Sequence, residues 1–170
     1  MPPIRMLTLL KQVVLLTGLL VLASCGYHLR GSSDLAQPLY KVYLAGASEP
    51  LSTQFANTIR NASGDMAGSS AEAAVIVTIS NERMDRRVLT LSNTGKANEF
   101  ELDYALDFEL QDAKGKPLLE RQSVEIRRDY FNDQQAIIAK NSEEDLIRTE
   151  MYQQAVRTIV NRAQAVLAAQ

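Results

Sequence analysis

Residues 98–111 leave this chain the least freedom. Phe100, Leu102, Tyr104, Leu106, Phe108 and Leu110 alternate there with Glu99, Glu101, Asp103, Ala105, Asp107 and Glu109. Successive side chains of a strand point to opposite faces, so six apolar residues at period two fix a long amphipathic strand with one face in a core. A strand of that kind needs a sheet around it and a layer to cover its apolar side.

The neighbouring segments supply both. The run 112–117, DAKGKP, is a turn, and 118–130 returns as a second strand with Val124, Ile126 and Tyr130 in one phase and Arg121, Glu125 and Arg127 in the other. Pairing Phe108 with Gln122 sets Glu109 opposite Arg121, Asp103 opposite Arg127 and Ala105 opposite Glu125, which neutralises part of the acidic outer face. This is a structural use of those carboxylates and not a catalytic pair. Upstream, 74–80, AVIVTIS, is β-branched and nearly continuous in apolarity, as a covered or central strand requires. Residues 41–44 give a short strand. Ser48 caps a helix with Pro50 in its first turn and Leu51, Phe55 and Ile59 in one stripe. The stretch 61–71, NASGDMAGSSA, has almost nothing to bury and reads as a mobile surface loop.

Beyond the hairpin, Asn132 or Asp133 can cap a helix, and Ser142 with Asp145 is a second capping candidate. Residues 133–168 are either one long helix or a short one that restarts near Ser142. Ile147, Met151, Ala155, Ile159, Ala163 and Val166 form its stripe, flanked by Tyr152, Val156, Val160 and Leu167. The order β-α-β-β-β-α predicts an α+β sandwich: a four-stranded, largely antiparallel sheet covered on one face by two helices.

The amino end reads differently. Residues 1–11 carry Arg5 and Lys11 and no acid, and 13–22 are an apolar run of ten residues, about half of the roughly 20 needed to span a bilayer. Leu22, Ala23 and Ser24 then lead directly into Cys25, the only cysteine. This is the pattern of a lipoprotein leader, 1–24, cleaved so that Cys25 becomes the acylated first residue, several chains being needed for durable anchoring. The alternative, a plain secretory signal followed by a free thiol, places an unpaired cysteine in an oxidising compartment. Gly26 stands where inner-membrane retention usually has Asp, so outer-membrane sorting is expected. Residues 25–38, polar and Gly/Ser-rich, read as a lipidated tether, and 39–170 as a single α+β domain. The leader holds two of the 18 basic residues and none of the 20 acidic ones, leaving the remainder at −4 and excluding nucleic-acid binding on bulk charge.

An enzyme needs a nucleophile and base, a metal set or a phosphate-cradling loop. Cys25 is committed to lipid, the single His28 lies in the tether, and Gly64 and Gly68 make no nucleotide-binding pattern. Neither a cofactor nor a metal is expected. Two non-enzymatic classes compete: a subunit of a larger membrane machine, and a free-standing periplasm-facing lipoprotein with a structural or small-ligand role.

The segment Cys25-Gly26-Tyr27-His28-Leu29-Arg30-Gly31, the βαβββα pattern, and the closing Tyr130-Phe131-Asn132, Ala139-Lys140-Asn141, Glu143-Glu144-Asp145-Leu146 and Glu150-Met151-Tyr152 together resemble the LptE (RlpB) lipoprotein family. The resemblance implies a protein that plugs and helps assemble the outer-membrane β-barrel LptD, in a one-to-one complex, and binds lipopolysaccharide on its way to the cell surface. That substrate is an anionic, phosphate-bearing glycolipid, for which exposed Lys and Arg are the fitting residues. Lys140, in the matched segment, is the first candidate, joined by Arg86, Arg87 and Lys96 along a basic edge. The family has a basic residue in the loop before the long strand; here that loop reads Ser92-Asn93-Thr94-Gly95-Lys96, so Lys96 is either a displaced counterpart or none. Ion pairing of Lys140 with Glu143 or Glu144, and simple solvation of Arg86 and Arg87, are the alternatives.

Overall fold

The computed structural model describes residues 35–131 and 137–169, with backbone alone at 137–142. The leader, Cys25, His28 and the capping candidates Asn132 and Asp133 lie outside the described residues. A 3-10 turn, Gln37–Tyr40, leads into β1, Lys41–Ala45. Helix α1, Glu49–Asn61, starts as its sequence predicts: Ser48 Oγ accepts from the Leu51 N–H at 3.5 Å, Pro50 sits in the first turn, and Leu51, Phe55 and Ile59 are buried. It ends where Gly64 N–H reaches back to the Ile59 carbonyl at 2.9 Å.

The loop expected at 61–71 contains a fifth strand. β2, Asp65–Met66, pairs in parallel with β1, Ala67 is buried and donates its N–H to Val42 at 2.8 Å, and a 3-10 turn spans Ser70–Glu72. This corrects the four-stranded expectation. A two-residue edge strand is held by main-chain hydrogen bonds, which small polar residues make as well as large apolar ones, so hydrophobic periodicity does not register it.

Strand β3, Val75–Leu91, extends well past the predicted 74–80. Beyond Ser80 burial fades and with it the apolar signal, yet pairing with β4, Ala97–Asp112, continues from Val75 opposite Asp112 to Leu91 opposite Ala97. β5, Pro117–Phe131, closes the hairpin. At its turn the Asp112 carboxylate accepts from the amides of Lys114 and Lys116 at 2.8 and 2.9 Å, and the Lys116 amide foremost holds that carboxyl below its usual range. The predicted pairs Phe108–Gln122, Ala105–Glu125 and Asp103–Arg127 are all present. Glu109 does not face Arg121, because a register shift after Phe108 brings Leu110 opposite Leu119.

Helix α2, Ile137–Leu167, is continuous, so no break occurs near Ser142. The sheet order is β2-β1-β3-β4-β5, with β1 parallel to both neighbours and the β3–β4–β5 meander antiparallel. Both helices pack on its apolar face: Leu51, Phe55 and Ile59 of α1 and Met151, Ala155, Ile159 and Ala163 of α2 share one cluster with Val77, Tyr104, Phe108 and Ile126. Leu35 and Leu39 join that cluster, so the packed core begins within the segment read as tether.

One irregularity decides which side chains face the helices. Asn81 adopts φ +54° in a bulge between Ser80 and Arg83. Before it the odd-numbered Val75, Val77 and Ile79 are buried, whereas after it even-numbered Met84 packs against the core. The extra residue inverts the phase of the strand.

Candidate functional site

The phase inversion separates two residues expected to work together. Arg86 lies opposite Leu102, on the helix side, and Arg87 opposite Glu101, on the open side. There Arg87 Nε meets Glu101 Oε1 at 2.6 Å, and this contact raises the Arg87 pKa. The rest of the open face is similarly engaged within itself. Arg127 pairs with Glu125 and, at 3.5 Å, with Asp103, as the strand pairing required. Asp107 accepts from Ser123 Oγ at 2.6 Å and Asn81 Nδ2 at 2.7 Å, which lowers its pKa.

On the helix side, four elements meet: the distal half of β3, the start of β4, the end of β5 and the start of α2. Arg86 lies 4.8 Å over the Phe100 ring, which stacks on Tyr130 at 5.6 Å. Arg86 Nη1 donates to Glu144 Oε2 at 3.0 Å, and the Tyr130 hydroxyl donates to the same oxygen. Arg148, one turn further along α2, donates Nε and Nη2 to Glu144 Oε1 at 2.9 and 2.6 Å. Burial pushes the Glu144 carboxyl up, but the bonds from Tyr130, Arg148 and Arg86 outweigh it and the net shift is downward. The Tyr130 phenol moves up through burial and the Glu144 bond, and Glu144 raises the Arg86 pKa.

Lys140 stands in the first turn of α2, four residues before Glu144, and its side chain lies outside the described residues. The Glu144 carboxylate is already taken up by Arg86, Arg148 and Tyr130. Lys96 is exposed at the β3–β4 turn, which closes through its carbonyl accepting from Ser92 N–H at 2.7 Å. The structure therefore gathers Arg86 and the opening turns of α2 at one corner, sets Arg87 on the opposite face and leaves Lys96 at the hairpin tip. Large apolar side chains are exposed around this end: Leu91 at 64 %, Phe131 at 68 %, with Val88, Leu89 and Leu146.

The sequence reading put Tyr130 in the apolar phase of its strand but did not single out its bond to Glu144, nor Arg148, nor the anchoring role of Glu144. The spacing 140, 144, 148 on one helix face was legible. The partners from β3 and β5 were not, because the bulge that aims Arg86 carries no apolar signature.

A second carboxylate, Glu82 in the bulge, ties three elements together. It accepts from the Ser48 N–H at 2.8 Å, from Ser48 Oγ at 2.6 Å and from the Tyr104 hydroxyl at 2.8 Å. Burial foremost, and then this bond, pushes the Tyr104 phenol far above its ordinary range. Tyr104 also meets Tyr152 of α2 edge-on at 4.9 Å. Ser48, Glu82 and Tyr104 thus spend their polar groups on holding elements together. Among the described residues no group of three or more His, Cys, Asp or Glu could hold a metal, and no helix is long and apolar enough to cross a membrane.

Known proteins share both fold and sequence with this chain. The solution structure of lipoprotein B from Nitrosomonas europaea superposes with a TM-score of 0.70 at 26 % identity, covering 85 % of this chain and 94 % of that one. The rare lipoprotein B of Shewanella oneidensis has the same fold, with a TM-score of 0.62 at 23 % identity over 76 % of this chain and 97 % of its own. The LPS-assembly lipoprotein LptE of Photorhabdus laumondii is 30 % identical over 164 residues, 93 % of this chain and 85 % of that protein. Residues 38–163 match the family described as LptE, lipopolysaccharide-assembly. With that match spanning most of its length, this chain belongs to the LptE family of lipopolysaccharide-assembly lipoproteins.

Proposed function

We propose that this protein is a non-catalytic subunit of an outer-membrane lipopolysaccharide translocon, anchored through acyl chains on Cys25, that plugs and helps assemble an LptD-type β-barrel and binds lipopolysaccharide in transit. The observation that carries the reading is the helix-side corner of the sheet. Cationic Arg86, the turn bearing Lys140 and exposed Leu91, Phe131 and Leu146 lie at one end of the molecule. An anionic amphiphile needs both kinds of surface, charge for its head group and apolar area for its chains. Lys140 and Arg86 contact the head group, while Lys96 at the hairpin tip and Arg87 on the other face serve as outlying cations that attract it. The open face of charged pairs suits a barrel lumen, which is largely polar. The name carried by the Photorhabdus laumondii relative, an LPS-assembly lipoprotein, supports the same role.

Purification of the tagged chain from detergent-solubilised outer membranes tests the class. A stable one-to-one complex with a large β-barrel is expected, and recovery of the chain alone would favour a free-standing lipoprotein instead. The glycolipid contact is tested by Lys140→Asp, whose charge reversal should weaken lipopolysaccharide binding roughly tenfold at low salt with an unchanged melting temperature. Unaltered affinity would remove Lys140 from the site.

A further inference from the structure

We propose that Glu144 is a built-in anion occupying a phosphate site: Arg86, Arg148 and Tyr130 form a cradle for a lipid-borne phosphate, which enters by displacing the Glu144 carboxylate. The inference rests on the reading above that the protein binds an anionic glycolipid, and it adds both new contact residues and a form of regulation.

The donor set carries more positive charge than one carboxylate neutralises. Two guanidinium groups and a hydroxyl converge on a single negative charge, leaving the cluster with a formal surplus of one positive charge. A carboxylate has two oxygens, and both are doubly used: Oε1 takes two hydrogens from Arg148, and Oε2 takes Arg86 and Tyr130. A phosphate monoester offers three acceptor oxygens and roughly 1.5 to 2 negative charges near neutral pH, which matches these donors more fully. Arg86 is held ready for such an anion by its seat on Phe100, which in turn is fixed by stacking on Tyr130.

The cluster is also reachable. The Arg86 side chain is 50 % exposed and that of Glu144 18 %. Release of Glu144 requires a change of side-chain rotamer and no movement of the sheet, because Arg86 and Tyr130 belong to β3 and β5 and stay in place. Val88 follows Arg86 by two residues along β3, so it shares that face of the strand, and it is exposed, giving the chains of a lipid an apolar surface beside the head-group site. By contrast, the open-face pairs such as Arg87–Glu101 involve one guanidinium each and leave no such surplus.

The experiment measures binding of lipopolysaccharide in detergent micelles, native and enzymatically dephosphorylated, to the full mature chain. Glu144→Gln keeps the shape of the side chain but removes the competing charge. It should bind the native glycolipid about five- to tenfold tighter than wild type while melting at a lower temperature, and Arg148→Gln added to it should erase the gain. A purely structural carboxylate would lower stability and affinity together. Equal or weaker binding by Glu144→Gln, or a gain that persists with the dephosphorylated glycolipid, overturns the proposal while leaving the function above intact. Binding by neither protein overturns both.

Discussion

Leu106→Asp is expected to abolish the cooperative thermal transition of the domain. Leu106 is 2 % exposed, sits in the middle of the interior strand β4 and faces Val124 across the β4–β5 ladder. The substitution forfeits about 2 kcal/mol of burial and places a carboxylate where the surrounding cluster is apolar, a further cost of several kcal/mol. Together these approach the whole stability of about 5 to 15 kcal/mol that holds a domain folded. Circular dichroism on heating reads the result directly, and a mutant melting like wild type would mean that the buried phase of β4 had been misplaced.

Gly46→Ala should come next in severity. Gly46 links β1 to α1 with φ +76°, and a Cβ built there lies 2.3 Å from the Ile79 carbonyl oxygen and 3.4 Å from its carbon. The left-handed conformation alone costs a side chain about 1 to 2 kcal/mol. The clash is with backbone of a central strand just ahead of its bulge, which cannot swing aside as a flexible side chain would, so a total near 3 kcal/mol is expected. Gly95→Ala provides the comparison: its φ is +77° but nothing lies within 4 Å of the added methyl. Urea midpoints should fall far more for the first substitution than for the second. Equal shifts would show that conformation matters there and the close approach does not.

These two sites mark what a sequence can and cannot disclose. Leu106 was legible because alternation over many residues reports burial directly, and the same signal fixed the strand pairing down to Asp103 opposite Arg127. Ser48, Pro50 and the stripe from Leu51 to Ile59 announced α1 through capping chemistry and period. What stayed hidden was held by main-chain bonds or by geometry. β2 has two residues and no pattern, and the outer half of β3 has no buried face to create one. The single inserted residue at Asn81 inverts everything after it, so counting onward from Ile79 puts Arg87 under the helices when it is Arg86 that lies there. The candidate cations were therefore identifiable by type and by family resemblance, whereas their division between two faces, and the grip of Glu144 on one of them, were not.

Glu82 bears on how this molecule opens. A helix usually frays from its first turn at little cost to its neighbours. Here the carboxylate that secures the beginning of α1 is lent by a kink in another strand and is shared with a tyrosine of a third. Loosening that turn strips bonds from the centre of the sheet as well, so local breathing at Ser48 is converted into a concerted event, and the helix keeps or loses its protection against solvent exchange together with the strands beneath it.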